Sequence, residues 1–147
     1  MKKFLAEGIG TMFLVLLACG SAVLAGPKIG VLGIGLCFGL VLLCLVYAIG
    51  NISGCHVNPA VSIAMWLSGR MKFGECCGYV VSQFIGAAVG AGFLYWFVDM
   101  GPLFDFGGVT GNAQLAANVI QPGANSAMAL VMEGLFTFFF VLNKYSN

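Results

Sequence analysis

The chain has 147 residues, of which 61% are hydrophobic and only 7% charged. That balance excludes an ordinary soluble globular domain and points to one integral membrane domain. A net charge of +1 leaves no footprint for nucleic acid, and no grouping of the single histidine with cysteine or acidic residues supplies a metal site, a cofactor site or a hydrolytic triad, so an enzyme is not expected.

Lys2 and Lys3 precede Phe4 to Ala25, an apolar stretch long enough to span a bilayer. Leu16-Leu17-Ala18-Cys19 imitates a lipoprotein cleavage site, but Glu7 interrupts the apolar core and further spans follow, so a retained helix is expected. Gly26-Pro27-Lys28 reads as a short turn, and a second span runs from about Val31 to Ile49 with Phe38 in its middle. The six cysteines (Cys19, Cys37, Cys44, Cys55, Cys76 and Cys77) mostly fall in apolar segments and read as small hydrophobes rather than a disulfide framework.

Next comes Gly50 to Leu67, which cannot be one transmembrane helix. Gly50, Asn51, Ser53, Gly54 and His56 make a poor helix, whereas Asn58-Pro59 reads as a helix start. The apolar run from Pro59 to Leu67 is nine residues. At 1.5 Å per residue it covers about 13.5 Å, roughly half of a hydrocarbon core about 30 Å thick. Two readings stand on these residues alone. One is a re-entrant loop whose carbonyls lead to a half-helix, since irregular backbone at membrane depth must be buried or line a wet cavity. The other is a short interfacial helix with Asn-Pro as an ordinary turn.

Ser68-Gly69-Arg70-Met71-Lys72 forms a basic turn before a third span, roughly Gly78 to Val98. Its Gly86 and Gly90 let helix backbones approach, and Gly35 and Gly39 repeat that spacing in the second span. Tyr95 and Trp96 suit a membrane interface. Asp99 to Asn125 is a loop of 27 residues, and a fourth span runs from Ser126 to about Leu142 with a polar tail after it. Lys2, Lys3, Arg70, Lys72 and Lys144 fall on one side of these spans and only Lys28 on the other, which predicts both termini in the cytoplasm.

Glu7-Gly8-Ile9-Gly10-Thr11-Met12-Phe13-Leu14-Val15-Leu16 matches Glu133-Gly134-Leu135-Phe136-Thr137-Phe138-Phe139-Phe140-Val141-Leu142 at an offset of 126 residues. The two segments begin spans of opposite direction, as in an inverted repeat. The same offset places a partner of Asn58 near position 184, so the chain reads as one full repeat plus the first helix of the next.

Gly50-Asn51-Ile52-Ser53-Gly54-Cys55-His56-Val57-Asn58-Pro59-Ala60-Val61-Ser62 resembles the first signature loop of the aquaporin and glycerol-facilitator family, and the likeness extends from Ala6-Glu7-Gly8 to Glu133-Gly134. The resemblance favours the re-entrant reading. It implies an all-α membrane fold, an aquaporin-like right-handed helical bundle, of which residues 1–147 hold three spans, the half-helix and the first helix of the second inverted repeat.

It further implies a passive water channel in a bacterial plasma membrane, a homotetramer in full-length form, with water as the partner and glycerol as the alternative solute. Asn58, with Pro59 and Ala60, would turn its amide into the pore, and the carbonyls of Gly54, Cys55 and His56 would form an acceptor ladder. Phe38 would form one filter wall, as in water-selective members. Glu7 and Glu133 would be buried carboxylates bracing the re-entrant segments. Cys55 is expected to face the pore and confer mercury sensitivity. A portion with one half-helix is expected to conduct poorly alone, and a non-conducting membrane scaffold is the alternative from a different class.

Overall fold

A computed structural model describes residues 1–99 and 125–145. The long loop between Asp99 and Asn125 and the end of the polar tail lie outside the described residues. Nearly all the described residues are helical, with no strand among them.

Helix α1, Lys2–Phe13, passes through a π-helical turn, Leu14–Cys19, into α2, Gly20–Ser53. The reversal between the first two spans falls at Gly30, where φ is +63° and ψ −177°, a backbone that only glycine adopts without strain. Pro27, expected in the turn, instead lies in helical sequence three residues earlier. Helix α3 is Pro59–Leu67, α4 is Phe73–Asp99, and α5 is Ser126–Tyr145. The second helix therefore persists past Ile49 to Ser53, leaving only Gly54 to Asn58 irregular. The third begins before Gly78, and the fourth continues beyond Leu142.

The tightest association is α1 on α4. A Cβ built on Gly86 would sit 2.0 Å from the Gly8 carbonyl oxygen, and one on Gly90 would sit 2.6 Å from that of Met12. Only hydrogen at these positions permits the crossing. Gly35 and Gly39 differ from this pair, because nothing lies within 4 Å of either hypothetical Cβ. Their spacing imitates a packing motif, but no neighbouring helix stands at packing distance from either, and Gly39 borders a cavity instead. Leu5, Ile9, Leu17, Leu32, Leu36, Phe84 and Ile85 stay exposed, an apolar exterior of the kind that lipid solvates. The stretches Lys2–Ser53, broken at Gly30, and Phe73–Asp99 are long and apolar enough to cross a membrane.

Candidate functional site: a capped half-helix wrapped on a buried carboxylate

The α2 helix ends because Gly54 takes φ +84° as its cap, with its N–H bonded 2.9 Å to Gly50 O. Cys55 and Val57 also have positive φ, at 51° and 42°. Such backbone in residues with side chains costs about 1–3 kcal/mol each and persists only where the surroundings impose it. Here the imposing group is Glu7.

Glu7 is fully buried on α1. Its Oε1 accepts the Ser53 hydroxyl at 2.6 Å and the His56 N–H at 2.9 Å. Its Oε2 accepts the Val57 N–H at 2.7 Å and the Gln83 amide at 2.8 Å. Four donors on two oxygens match what a carboxylate can accept, which removes the main penalty of placing it there. Ser53 Oγ also accepts the Cys55 N–H at 3.1 Å, so the N–H groups of three successive loop residues turn toward this cluster.

Asn58 is the N-cap of α3, in extended conformation (φ −152°, ψ 127°), and its Oδ1 accepts the Ala60 N–H at 2.8 Å. Pro59 opens the helix where its missing N–H is of no consequence. With Oδ1 engaged in the cap, the amide hydrogens are the donors Asn58 can offer elsewhere. Asn58 lines a cavity of about 410 Å³ together with Leu14, Phe38, Leu42, Thr137 and Phe140. The structure thus brings Phe38 of α2 and Asn58 of the half-helix to one space, closed on one side by α5.

Gly54, Cys55 and His56 do not line that cavity. The Cys55 side chain is 2% exposed and packs with Leu45 and Val57, so the expectation that its thiol faces the pathway is not met in this arrangement. Positive φ at Cys55 turns the side chain into the core. The His56 ring is also interior, with Nδ1 3.0 Å from Ser62 Oγ and an edge-type contact with the Tyr79 ring at a centroid distance of 5.1 Å.

Glu133, expected to be buried like Glu7, is exposed on α5. That helix meets the cavity through Phe136, Thr137 and Phe140, and none of the described hydrogen bonds ends on the Glu133 carboxylate.

Sequence reading missed Ser62, Tyr79 and Gln83. Gln83 had a usable signal, being the one side-chain amide in the apolar run from Gly78 to Val98. Tyr79 donates its hydroxyl to Ser53 O at 2.7 Å, satisfying a carbonyl of the last turn of α2. Tyr79→Phe is expected to destabilise by about 1–2 kcal/mol, the worth of one buried hydrogen bond with a stranded carbonyl. Thermal unfolding in detergent measures it, and an unchanged midpoint would show that the bond contributes nothing. At the basic end of α1, Lys3 pairs with Glu75 of α4.

A helical bundle with an apolar exterior, enclosing a half-helix and a fully satisfied carboxylate, defines a helical membrane protein with an internal polar site. The family model described as major intrinsic protein matches residues 1–147. The chain belongs to that family and is an integral membrane protein. It is similar to an Aquaporin Z of Bradyrhizobium diazoefficiens, 42% identical over an alignment of 147 residues that covers 94% of this chain and 60% of the relative. An Aquaporin Z of Brucella melitensis is 40% identical over 97% of this chain and 63% of its own length. One from Rhodopseudomonas palustris is 38% identical over 95% and 60%. The chain therefore spans about 60–63% of the length of these relatives.

Proposed function

We propose that this protein contributes to a passive water channel of the aquaporin type, in which Asn58 and Phe38 wall part of the conducting path. The observation that carries the reading is the placement of both residues on one cavity, with the Asn58 cap bond leaving its amide hydrogens as donors. The α3 N-terminus directs the positive end of its dipole to the same place, which favours a water oxygen and opposes cations and hydrated protons. The names carried by the three relatives agree with it.

The N–H groups of Cys55, His56 and Val57 are drawn toward Ser53 and Glu7. That arrangement supports a role for the backbone carbonyls of Gly54, Cys55 and His56 as successive acceptors for water on a stretch of the path beyond the cavity that Asn58 lines. Phe38 narrows the path toward water rather than glycerol. The distribution of Lys and Arg supports cytoplasmic termini in a bacterial plasma membrane. A homotetramer remains part of the same reading.

Asn58→Asp tests it in the full-length protein. Aspartate caps helices as well as asparagine, so the fold is expected to hold. It offers no amide donors and sets negative charge at the helix end. Osmotic water permeability is expected to fall about fivefold, the weight of one hydrogen bond, with a rise in proton or cation leak. Stopped-flow shrinkage of proteoliposomes and a trapped pH dye read both. Unchanged permeability and unchanged ion exclusion would remove Asn58 from the path, and glycerol uptake matching water flow would replace the water reading with a solute facilitator.

A further inference from the structure

Gln83 is 1% exposed, lies on α4, and is not among the residues that line the cavity of Asn58. Its Nε2 donates to two acceptors on two other helices, Glu7 Oε2 of α1 at 2.8 Å and Ser62 Oγ of α3 at 3.1 Å. One side-chain amide therefore ties three helices together. Its orientation is determined, because the flipped amide would set its oxygen against the acceptor Glu7 Oε2 and leave that oxygen with the Val57 N–H as its one remaining donor. The consequence is that Gln83 Oε1 is buried with no hydrogen-bond partner among the described residues.

A buried carbonyl without a donor is unfavourable, and an apolar side chain of the same length would avoid it. The donor it supplies to Glu7 is stabilising, but with its oxygen left unpaired stability is only part of a reason for glutamine here. Its geometry gives a better one. Ser62 stands one helical turn after Asn58, and its Oγ lies 3.4 Å from Asn58 O and 3.0 Å from His56 Nδ1. Glu7 holds the N–H groups of His56 and Val57. Gln83 contacts both anchors, one at each end of the segment from His56 to Ser62, and so sets how far the half-helix stands from the carboxylate and how it is rotated.

We infer that Gln83 is a positioning residue for the conducting path, acting through Glu7 and Ser62 to aim the Asn58 amide into the cavity. This inference rests on the channel reading above. The experiment uses the full-length protein in proteoliposomes, with thermal unfolding measured in parallel. Gln83→Met removes both donated bonds and also the orphaned carbonyl. Its unfolding midpoint is expected to fall by less than one lost bond to Glu7 implies, because the orphaned carbonyl goes too, while water permeability per folded protein falls about fivefold. Gln83→Glu adds a second readout, since its carboxyl can donate to Glu7 only while the pair shares one proton. Its permeability is expected to fall as the pH is raised, against a flatter wild-type profile. Wild-type vesicles that shrink no faster than empty ones would reject the channel reading itself. A conducting wild type with Gln83→Met equally permeable, with a loss no greater than its loss of folded protein, or with Gln83→Glu following the wild-type pH profile, would overturn the positioning role.

Discussion

In the full-length protein Glu7→Gln is expected to lose about 3 kcal/mol of stability and, on the channel reading proposed above, most water flow, although it changes one atom of a side chain that does not line the cavity. The carboxylate accepts four hydrogen bonds, from Ser53, His56, Val57 and Gln83. A glutamine has one acceptor oxygen and one amide NH2, which only donates. With the NH2 toward Val57 and Gln83, the Gln83 amide can turn to accept from it, but Ser62 then loses its donor and the Val57 N–H faces another N–H. With the NH2 toward Ser53, the hydroxyl can rotate to accept, but the His56 N–H is stranded.

Each arrangement leaves one buried backbone N–H unpaired, at about 1–3 kcal/mol, and turns charge-assisted bonds into ordinary ones. The loop has a further reason to move, because Cys55 and Val57 hold positive φ only under this constraint. Relaxing them displaces Asn58, the next residue in the chain. Thermal unfolding in detergent and osmotic shrinkage in proteoliposomes measure the two effects. A Glu7→Gln protein within about 0.5 kcal/mol of wild type, the range of an ordinary surface change, would show that the loop holds itself.

Gly86→Ala should be as damaging for a different reason. The added carbon would stand 2.0 Å from the Gly8 oxygen and 2.8 Å from its carbonyl carbon, where contact becomes ordinary only beyond 3.4 Å. Those atoms are backbone within α1, so no rotamer change relieves the clash. The helices must part by more than an ångström. That opens the crossing which brings Gln83 within 2.8 Å of Glu7, so packing and polar cluster fail together. Overpacking commonly costs about 1–3 kcal/mol, and the upper end or more is expected where backbone meets backbone.

Gly35→Ala is the control. Nothing lies within 4 Å of its Cβ, and alanine favours helix over glycine by about 1 kcal/mol. Yield of monodisperse protein and the unfolding midpoint should drop for Gly86→Ala and hold or rise for Gly35→Ala. Equal behaviour of the two would mean that α1 and α4 do not cross at Gly86.

The membrane class was legible in the 61% hydrophobic, 7% charged composition, because a bilayer demands apolar residues wherever the chain faces it. The start of α3 was legible too, since capping is local chemistry: an asparagine before a proline carries its own hydrogen-bond instructions. The carboxylate of Glu7 announced itself by its expense at membrane depth. Identical local spacing, however, gave no means of separating Gly86 and Gly90, which lie against α1, from Gly35 and Gly39, which lie open. Only the neighbouring helix makes a glycine necessary.

The same holds at the turn, where Pro27 looked like the breaker but lies in helical backbone, and the reversal falls three residues on at Gly30, whose positive φ a glycine takes without strain. Cys55 and His56 turn their side chains inward through backbone that the distant Glu7 imposes. Gln83 lies 76 residues from Glu7, and a pattern of local periodicity holds no information about that contact. Local hydrogen bonding and hydropathy are written residue by residue in the chain. Which donors reach which acceptors across three helices was decided only when α1 and α4 closed on each other.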